Sequence, residues 1–201
     1  MPNSDRMATE GTGGTVGGTH AAAAPSAWIA RFAPLVLPGA RVLDLACGQG
    51  RHARFFAARG HRVVAADRDA TALATLAGTE RIDARVLDCE AGPWPLPGER
   101  FDAIVVTNYL HRPLFPHLLA ALAADGVLLY ETFARGNEAC GRPANPDFLL
   151  LPGELLEVAA HGLTVVAFEQ GHVPAPPRGA VIERLAAVGS RRPWPPPLPA
   201  P

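Results

Sequence analysis

The sequence predicts an α/β fold: a mostly parallel sheet with helices on both faces and an antiparallel final strand. Three observations carry this. Apolar runs of strand length alternate with helix-like segments from residue 40 onward. Such alternation is the pattern of a parallel sheet covered on both sides. Every parallel strand candidate also ends in a polar residue, as expected where strand ends line a ligand crevice.

The elements follow in order. Ser26 can cap a short helix, "AWIARFAPLV". "ARVLDLA" is a continuous apolar strand carrying an acid. "RHARFFAARG" reads as a helix closed by Gly60, and "HRVVAAD" as a second strand. Asp69 can cap "ATALATLAG", and "IDARVLD" is a third strand. A proline-rich loop, "CEAGPWPLPGE", leads to a fourth, "FDAIVVTN". That step is the weak one, because a parallel crossover normally carries a helix. "LFPHLLAALAADG" has a helical apolar stripe and a glycine stop, and "GVLLYETF" is the fifth strand. A long loop, "ARGNEACGRPANPDFLL", precedes a helix in "PGELLEVAAHG". "LTVVAFEQG" and "GAVIERLAAV" form an antiparallel pair, bringing the strand total to seven.

Length and composition bound the rest. The chain of 201 residues is enough for one domain, assigned to residues 26–190. Residues 1–25, rich in Gly, Thr and Ala, read as a disordered tail, and 191–201 as a proline-rich extended tail. A PxxP-type partner for that second tail is the less economical reading. The 18 basic and 19 acidic residues nearly balance, and every basic residue is arginine, which reads as coding bias. No like-charge run points to nucleic acid, and no apolar run approaches the ~20 residues of a membrane span. Cys47, Cys89 and Cys140 form neither a disulfide framework nor a zinc pattern. No metal is expected, and the cytoplasm is the expected location.

The rim chemistry is specific. Asp44, Asp67, Asp88, Asn108 with Tyr109, and Glu131 with Thr132 close the five parallel strands. Ala46, Gly48 and Gly50 lack bulk, so backbone can approach a ligand. Asp67 suits the two hydroxyls of a ribose, and Asp88 the exocyclic amine of adenine or the turn after it. Asp44 can meet an ammonium directly or through water, or anchor the turn by accepting amides. Cys47, Arg68 and Cys89 flank these groups and count with the cofactor rim, although small apolar packing is the default for the two thiols. "GQGRHA" also fits a dinucleotide turn, but a carboxylate just upstream would repel a pyrophosphate. S-adenosylmethionine, with its ammonium, ribose and adenine, suits the three acids better than NAD.

With these residues in place, "VLDLACGQGRHARFFAARGHRVVAAD", "VLDCE", "FDAIVVTNYLHR" and "GVLLYETF" resemble the class I S-adenosylmethionine-dependent methyltransferases over residues 40 to about 188. "DLACGQGRHARFFAARGHRV" looks like the branch that includes the tellurite-resistance methyltransferases. The resemblance implies a Rossmann-like seven-stranded sheet with a reversed last strand. It also implies cofactor contacts at Asp44, Ala46, Gly48, Gly50, Asp67, Asp88 and Asn108. Ala46 departs from the family's commoner glycine, and Cys89 falls where the family varies.

Tyr109, His111 and Glu131 are the catalytic candidates. Tyr109 can lie against a sulfonium or simply pack; His111 can be a base or a helix-entry histidine; Glu131 should face the cleft or meet an arginine. Arg135, Arg142, Asn145 and Phe148 of the long loop are candidates to close the cleft. The expected activity is methyl transfer to a small molecule or soft oxyanion. The rivals are a NAD-binding oxidoreductase or redox sensor and a non-catalytic module that binds S-adenosylmethionine.

Overall fold

The computed structural model describes residues 23–174 and 179–198. Most of the tail assigned to residues 1–25, and the last three residues of the proline-rich one, lie outside the described residues. Seven strands form one sheet in the order β3-β2-β1-β4-β5-β7-β6. These are β1 (Arg41–Leu45), β2 (Arg62–Asp67), β3 (Ile82–Val86), β4 (Phe101–Thr107), β5 (Leu122–Phe133), β6 (Leu163–Val173) and β7 (Ala180–Gly189). Neighbours β1 to β5 pair in parallel, and β7 runs antiparallel to both β5 and β6. The strand order reverses between β1 and β4, which opens a crevice at their carboxyl ends.

Successive strand residues point to opposite faces, and both faces are buried. Val42, Val63, Val105 and Val127 meet Trp28, Phe32, Phe56 and Leu73 on one face. These come from α1 (Ala27–Phe32), α2 (Arg51–Ala57) and α3 (Ala70–Ala74). Leu43, Leu45, Ile104 and Leu128 meet Leu118 and Leu155 on the other, from α4 (Phe115–Ala121) and α5 (Glu154–Ala159). Ser26 caps α1 by accepting the Trp28 amide, and Asp69 caps α3 by accepting those of Thr71 and Ala72.

The proline-rich crossover is a loop, as read from the sequence, and the helix before β5 departs from its expected length. The crossover from β3 to β4 carries no helix. The loop instead buries Leu96, and Trp94 stacks parallel on His117 of α4 with ring centroids 5.7 Å apart, while its indole N–H donates to the Leu96 carbonyl. Apolar side chains of a loop therefore seal the face a crossover helix would cover. The helix expected through Gly126 stops at Ala121, where Leu122 pairs with Phe101 and begins β5. The carbonyls of Ala124 and Asp125 accept from Arg191 N and from Arg192 Nη1, so tertiary partners take what a last helical turn would have used. Gly189 permits the approach: a Cβ there would lie 2.3 Å from the Ala124 oxygen. The start of the proline-rich tail is thus pinned, and Pro196 is buried, while Trp194 stays exposed. No described helix is long and apolar enough to cross a membrane.

Candidate active site

The loop after β1 begins with Ala46 and Gly48 at positive φ, and Gly50 (φ 75°) starts α2. At Gly50 a Cβ would sit 2.6 Å from the Leu76 methyls, so the turn needs glycine there for space as well as conformation. Asp67 holds this loop from the next strand: one of its oxygens accepts the Gly48 amide at 2.7 Å and the other the Asp69 amide. Asp88 does the same one strand on, accepting the amides of Glu90 and Ala91. An ionised carboxylate offers about four lone-pair directions, so both acids retain acceptor capacity for hydroxyl or amine groups.

A cleft of about 450 Å³ lies over the strand ends. Of the expected cofactor residues, Ala46, Asp67, Arg68, Asp88, Cys89 and Asn108 line it. Asp44, Cys47, Gly48 and Gly50 do not. Asp44 is buried beneath the loop, its carboxylate accepting the Ala53 amide at 2.8 Å. Burial raises its pKa from 3.8 to about 7, against the lowering effect of that hydrogen bond. Asp44 thus anchors the turn to the first turn of α2. It also occupies an amide there that a dinucleotide pyrophosphate would use, which weighs against the NAD reading.

The catalytic candidates separate. Tyr109 lines the cleft, half-buried, its phenol pushed upward in pKa by burial and then by Glu90. His111 does not line it; its carbonyl accepts the Leu114 amide at the start of a 3-10 turn. Glu131, a catalytic candidate, does not line the cleft and meets an arginine, the second of its two expected placements: it accepts from Ser26 Oγ at 2.8 Å and from Arg184 Nη1 at 3.3 Å. A carboxylate near the end of a buried strand is costly without partners, and these two supply them. Burial also raises Cys89, to about 11, and raises Cys47. The phenol and thiols here are therefore protonated near neutral pH.

The far wall comes largely from residues the sequence reading left out, Phe133, Pro143 and Leu110, with Thr132 from the strand-end reading and Phe148 from the long loop. Arg135 and Arg142 do not line the cleft. Asn145 caps the short turn Pro146–Phe148 by accepting the Asp147 amide. Two unanticipated side chains hold the loop. Arg112 forks onto Glu154, with Nε and Nη2 at 2.7 and 2.8 Å, and donates to the carbonyls of Asp147 and Leu149. Asn137, buried, donates to the Pro143 carbonyl and accepts the Val181 amide. Arg112 sits beside His111 in "NYLHRP", but its partners lie 35 to 42 residues away, out of reach of a motif reading.

A buried relay also joins α1 to the strand ends. The Ser26 amide donates to His52 Nε2, so the proton sits on Nδ1, which faces Thr107 Oγ1 at 3.4 Å. Burial lowers the His52 pKa to about 3, with Arg51 adding to the effect. The spacing of His52 gave no signal for this role. Among the described residues no cluster of metal-ligating groups exists.

This architecture, with its acid-closed strands and glycine turn, is the fold seen in class I S-adenosylmethionine-dependent methyltransferases. Residues 42–125 match the family model described as a methyltransferase domain, and S-adenosylmethionine is the expected cofactor. Among solved structures the chain is similar to TehB from Haemophilus influenzae, at 21% identity and TM-score 0.65, covering 79% of this chain and 60% of that one. A TehB-like methyltransferase from Corynebacterium glutamicum matches at 22% identity and TM-score 0.56, covering 78% of this chain and 83% of that one. The Burkholderia thailandensis 1,6-didemethyltoxoflavin-N1-methyltransferase, bound to 1,6-didemethyltoxoflavin and S-adenosylhomocysteine, matches at 26% identity and TM-score 0.59, covering 80% of this chain and 75% of that one. No curated protein matches the chain.

Proposed function

We propose that the chain transfers the methyl group of S-adenosylmethionine to a small molecule bound in the cleft. One observation carries this reading: a single cleft joins the carboxylates of Asp67 and Asp88 to a wall of aromatic and apolar side chains. The acid end suits the ribose and adenine, with Asp67 accepting the hydroxyls and Asp88 the amine. The other end remains for the acceptor.

The reaction is an in-line displacement. A lone pair of the acceptor attacks the methyl carbon, the carbon–sulfur bond breaks, and its electron pair stays on sulfur to give neutral S-adenosylhomocysteine. An acceptor that carried a proton loses it to water or a nearby carboxylate. The cation supplies the electrophile, so positioning accounts for much of the rate. The protonated phenol and thiols fit this division: Tyr109, Cys47 and Cys89 present no thiolate or phenolate to compete for the methyl group.

The toxoflavin-precursor enzyme, one of the similar structures, supports a small acceptor. The loop supports it as well, since its Pro143 and Phe148 form part of the cleft lining. The resemblance to the tellurite-resistance branch keeps a soft oxyanion as the other acceptor class. Parallel titrations with S-adenosylhomocysteine and NAD, followed by transfer of labelled methyl to thiols, amines and oxyanions, test the reading. Binding of S-adenosylhomocysteine without NAD, with label on an acceptor, is the expected result. NAD binding alone overturns it, and cofactor binding without any transfer leaves a binding module.

A further inference from the structure

The acceptor end of the cleft has a defined chemistry. Tyr109, Leu110, Thr132, Phe133, Pro143 and Phe148 line it, and none is charged. The charged residues lining the cleft are Asp67, Asp88 and Glu90 against Arg68 alone, and Arg68 faces Glu90 at 3.7 Å. The local field is therefore negative. Arg112, the nearby cation on the loop side, already has its guanidinium engaged by Glu154 and two carbonyls.

Phe148 is the unusual member of this wall. It is 52% exposed, although Leu149 and Leu150 beside it are fully buried. Its backbone is not free: Arg112 donates to the carbonyls of Asp147 and Leu149, the residues on either side of it. The Leu150 amide donates to Phe133, and the Arg135 amide to the Leu150 carbonyl. A guanidinium clamp on both flanks fixes the backbone from which this half-exposed aromatic ring projects. Rigid aromatic surface at a pocket mouth is what flat apolar ligands bind, at low entropic cost.

We propose that Phe148, set in place by Arg112, is a platform for the methyl acceptor, and that the acceptor is a flat, apolar ring compound without negative charge rather than an oxyanion. The inference rests on the methyltransferase reading of the cleft. Phe148 makes the contact, and Arg112 is a positioning residue. An oxyanion would meet Glu90 beside Tyr109 and, among the lining residues, only Arg68, which already faces that carboxylate, whereas an uncharged ring meets three aromatic side chains and apolar walls.

The test uses the full chain, tritiated S-adenosylmethionine, and two probes: 2-naphthalenemethanethiol, un-ionised near neutral pH, as the ring compound and selenite as the oxyanion. S-adenosylhomocysteine affinity is measured first by calorimetry; if it does not bind, the methyltransferase reading falls and this inference with it. With that affinity established, kcat/KM for 2-naphthalenemethanethiol should exceed that for selenite by tenfold or more, about the discrimination expected of an aromatic contact plus charge exclusion. Phe148→Ala should raise KM for the thiol about tenfold, leave S-adenosylhomocysteine affinity within about twofold, and be rescued by Phe148→Tyr. Arg112→Lys keeps the charge but loses the fork, and should raise KM severalfold with kcat nearly constant. Preference for selenite, no binding of the thiol to the cofactor-product complex, or an unchanged KM in Phe148→Ala overturns the acceptor assignment. A lowered Tm with unchanged KM in Arg112→Lys overturns the clamp.

Discussion

The two ends of the cleft are built differently. The acid end draws on Ala46, Asp67 and Asp88, whose strands β1, β2 and β3 are adjacent in both sequence and sheet. Short hydrogen bonds tie it together, the Gly48 amide donating to Asp67 and the Ala53 amide to Asp44. The acceptor end combines Tyr109 after β4, Phe133 at the end of β5, and Pro143 and Phe148 from a loop held by Arg112 and Asn137. One end is a local motif with little freedom, and the other is an assembly of distant segments. On the proposed reading a compact set of turns holds the cofactor, while acceptor choice falls to a loop that can vary without disturbing them.

Substitutions at one end should therefore leave the other intact. The largest effect is expected for Gly50→Ala, which forces a Cβ against Leu76 at positive φ. Strain of about 1–3 kcal/mol and overpacking of similar size should appear as a lowered urea midpoint and lost cofactor binding. Asp67→Ala comes next. Loss of charge-assisted hydrogen bonds should weaken S-adenosylhomocysteine binding by ~1.5–3 kcal/mol, read by calorimetry. An unchanged affinity would show that this carboxylate serves only the loop.

Asn137→Ala acts on the opposite end. It strands the Pro143 carbonyl and the Val181 amide, at a cost of about 1–2 kcal/mol in stability. Acceptor KM should rise while cofactor affinity holds; a parallel loss of both would show that the two ends are coupled.

The smallest effect is a pH dependence. The native pKa of Asp44 is raised to about 7, so its contribution to stability is complete below about pH 4 and lost as pH rises through about 7. The native pKa of His52 is lowered to about 3, so its contribution is complete above about pH 6.5 and lost as pH falls through about 3. Between roughly pH 4 and 6.5 the two oppose each other. Asp44→Asn removes the first, so acidification from about pH 6.5 to 4.5 should lower the urea midpoint more in this variant than in the parent. Equal drops in both proteins would mean that Asp44 is not the compensating group.

Glu131 and Asp44 mark where motif reading reached its range. Sequence placed both at the carboxyl ends of strands, and both are near those ends. Whether such a carboxylate faces a ligand depends on what lies across from it. For Glu131 that is Arg184 on an antiparallel strand 53 residues on, and for Asp44 it is the first turn of α2. Phe148 was legible as a loop residue able to cover the cleft. Pro143 was not, because a proline in a long loop carries no periodic signal.

The sequence by itself determined the seven strands, the glycine turn, the acids after β2 and β3, and the class of cofactor they suit. Those features depend on hydrophobic periodicity and on groups a few residues apart. Only the tertiary structure decided that a loop seals the β3–β4 crossover, that β5 begins at Leu122, and that Arg112 grips both flanks of Phe148. Those outcomes depend on hydrogen-bonding and packing partners distant along the chain, which no local pattern specifies.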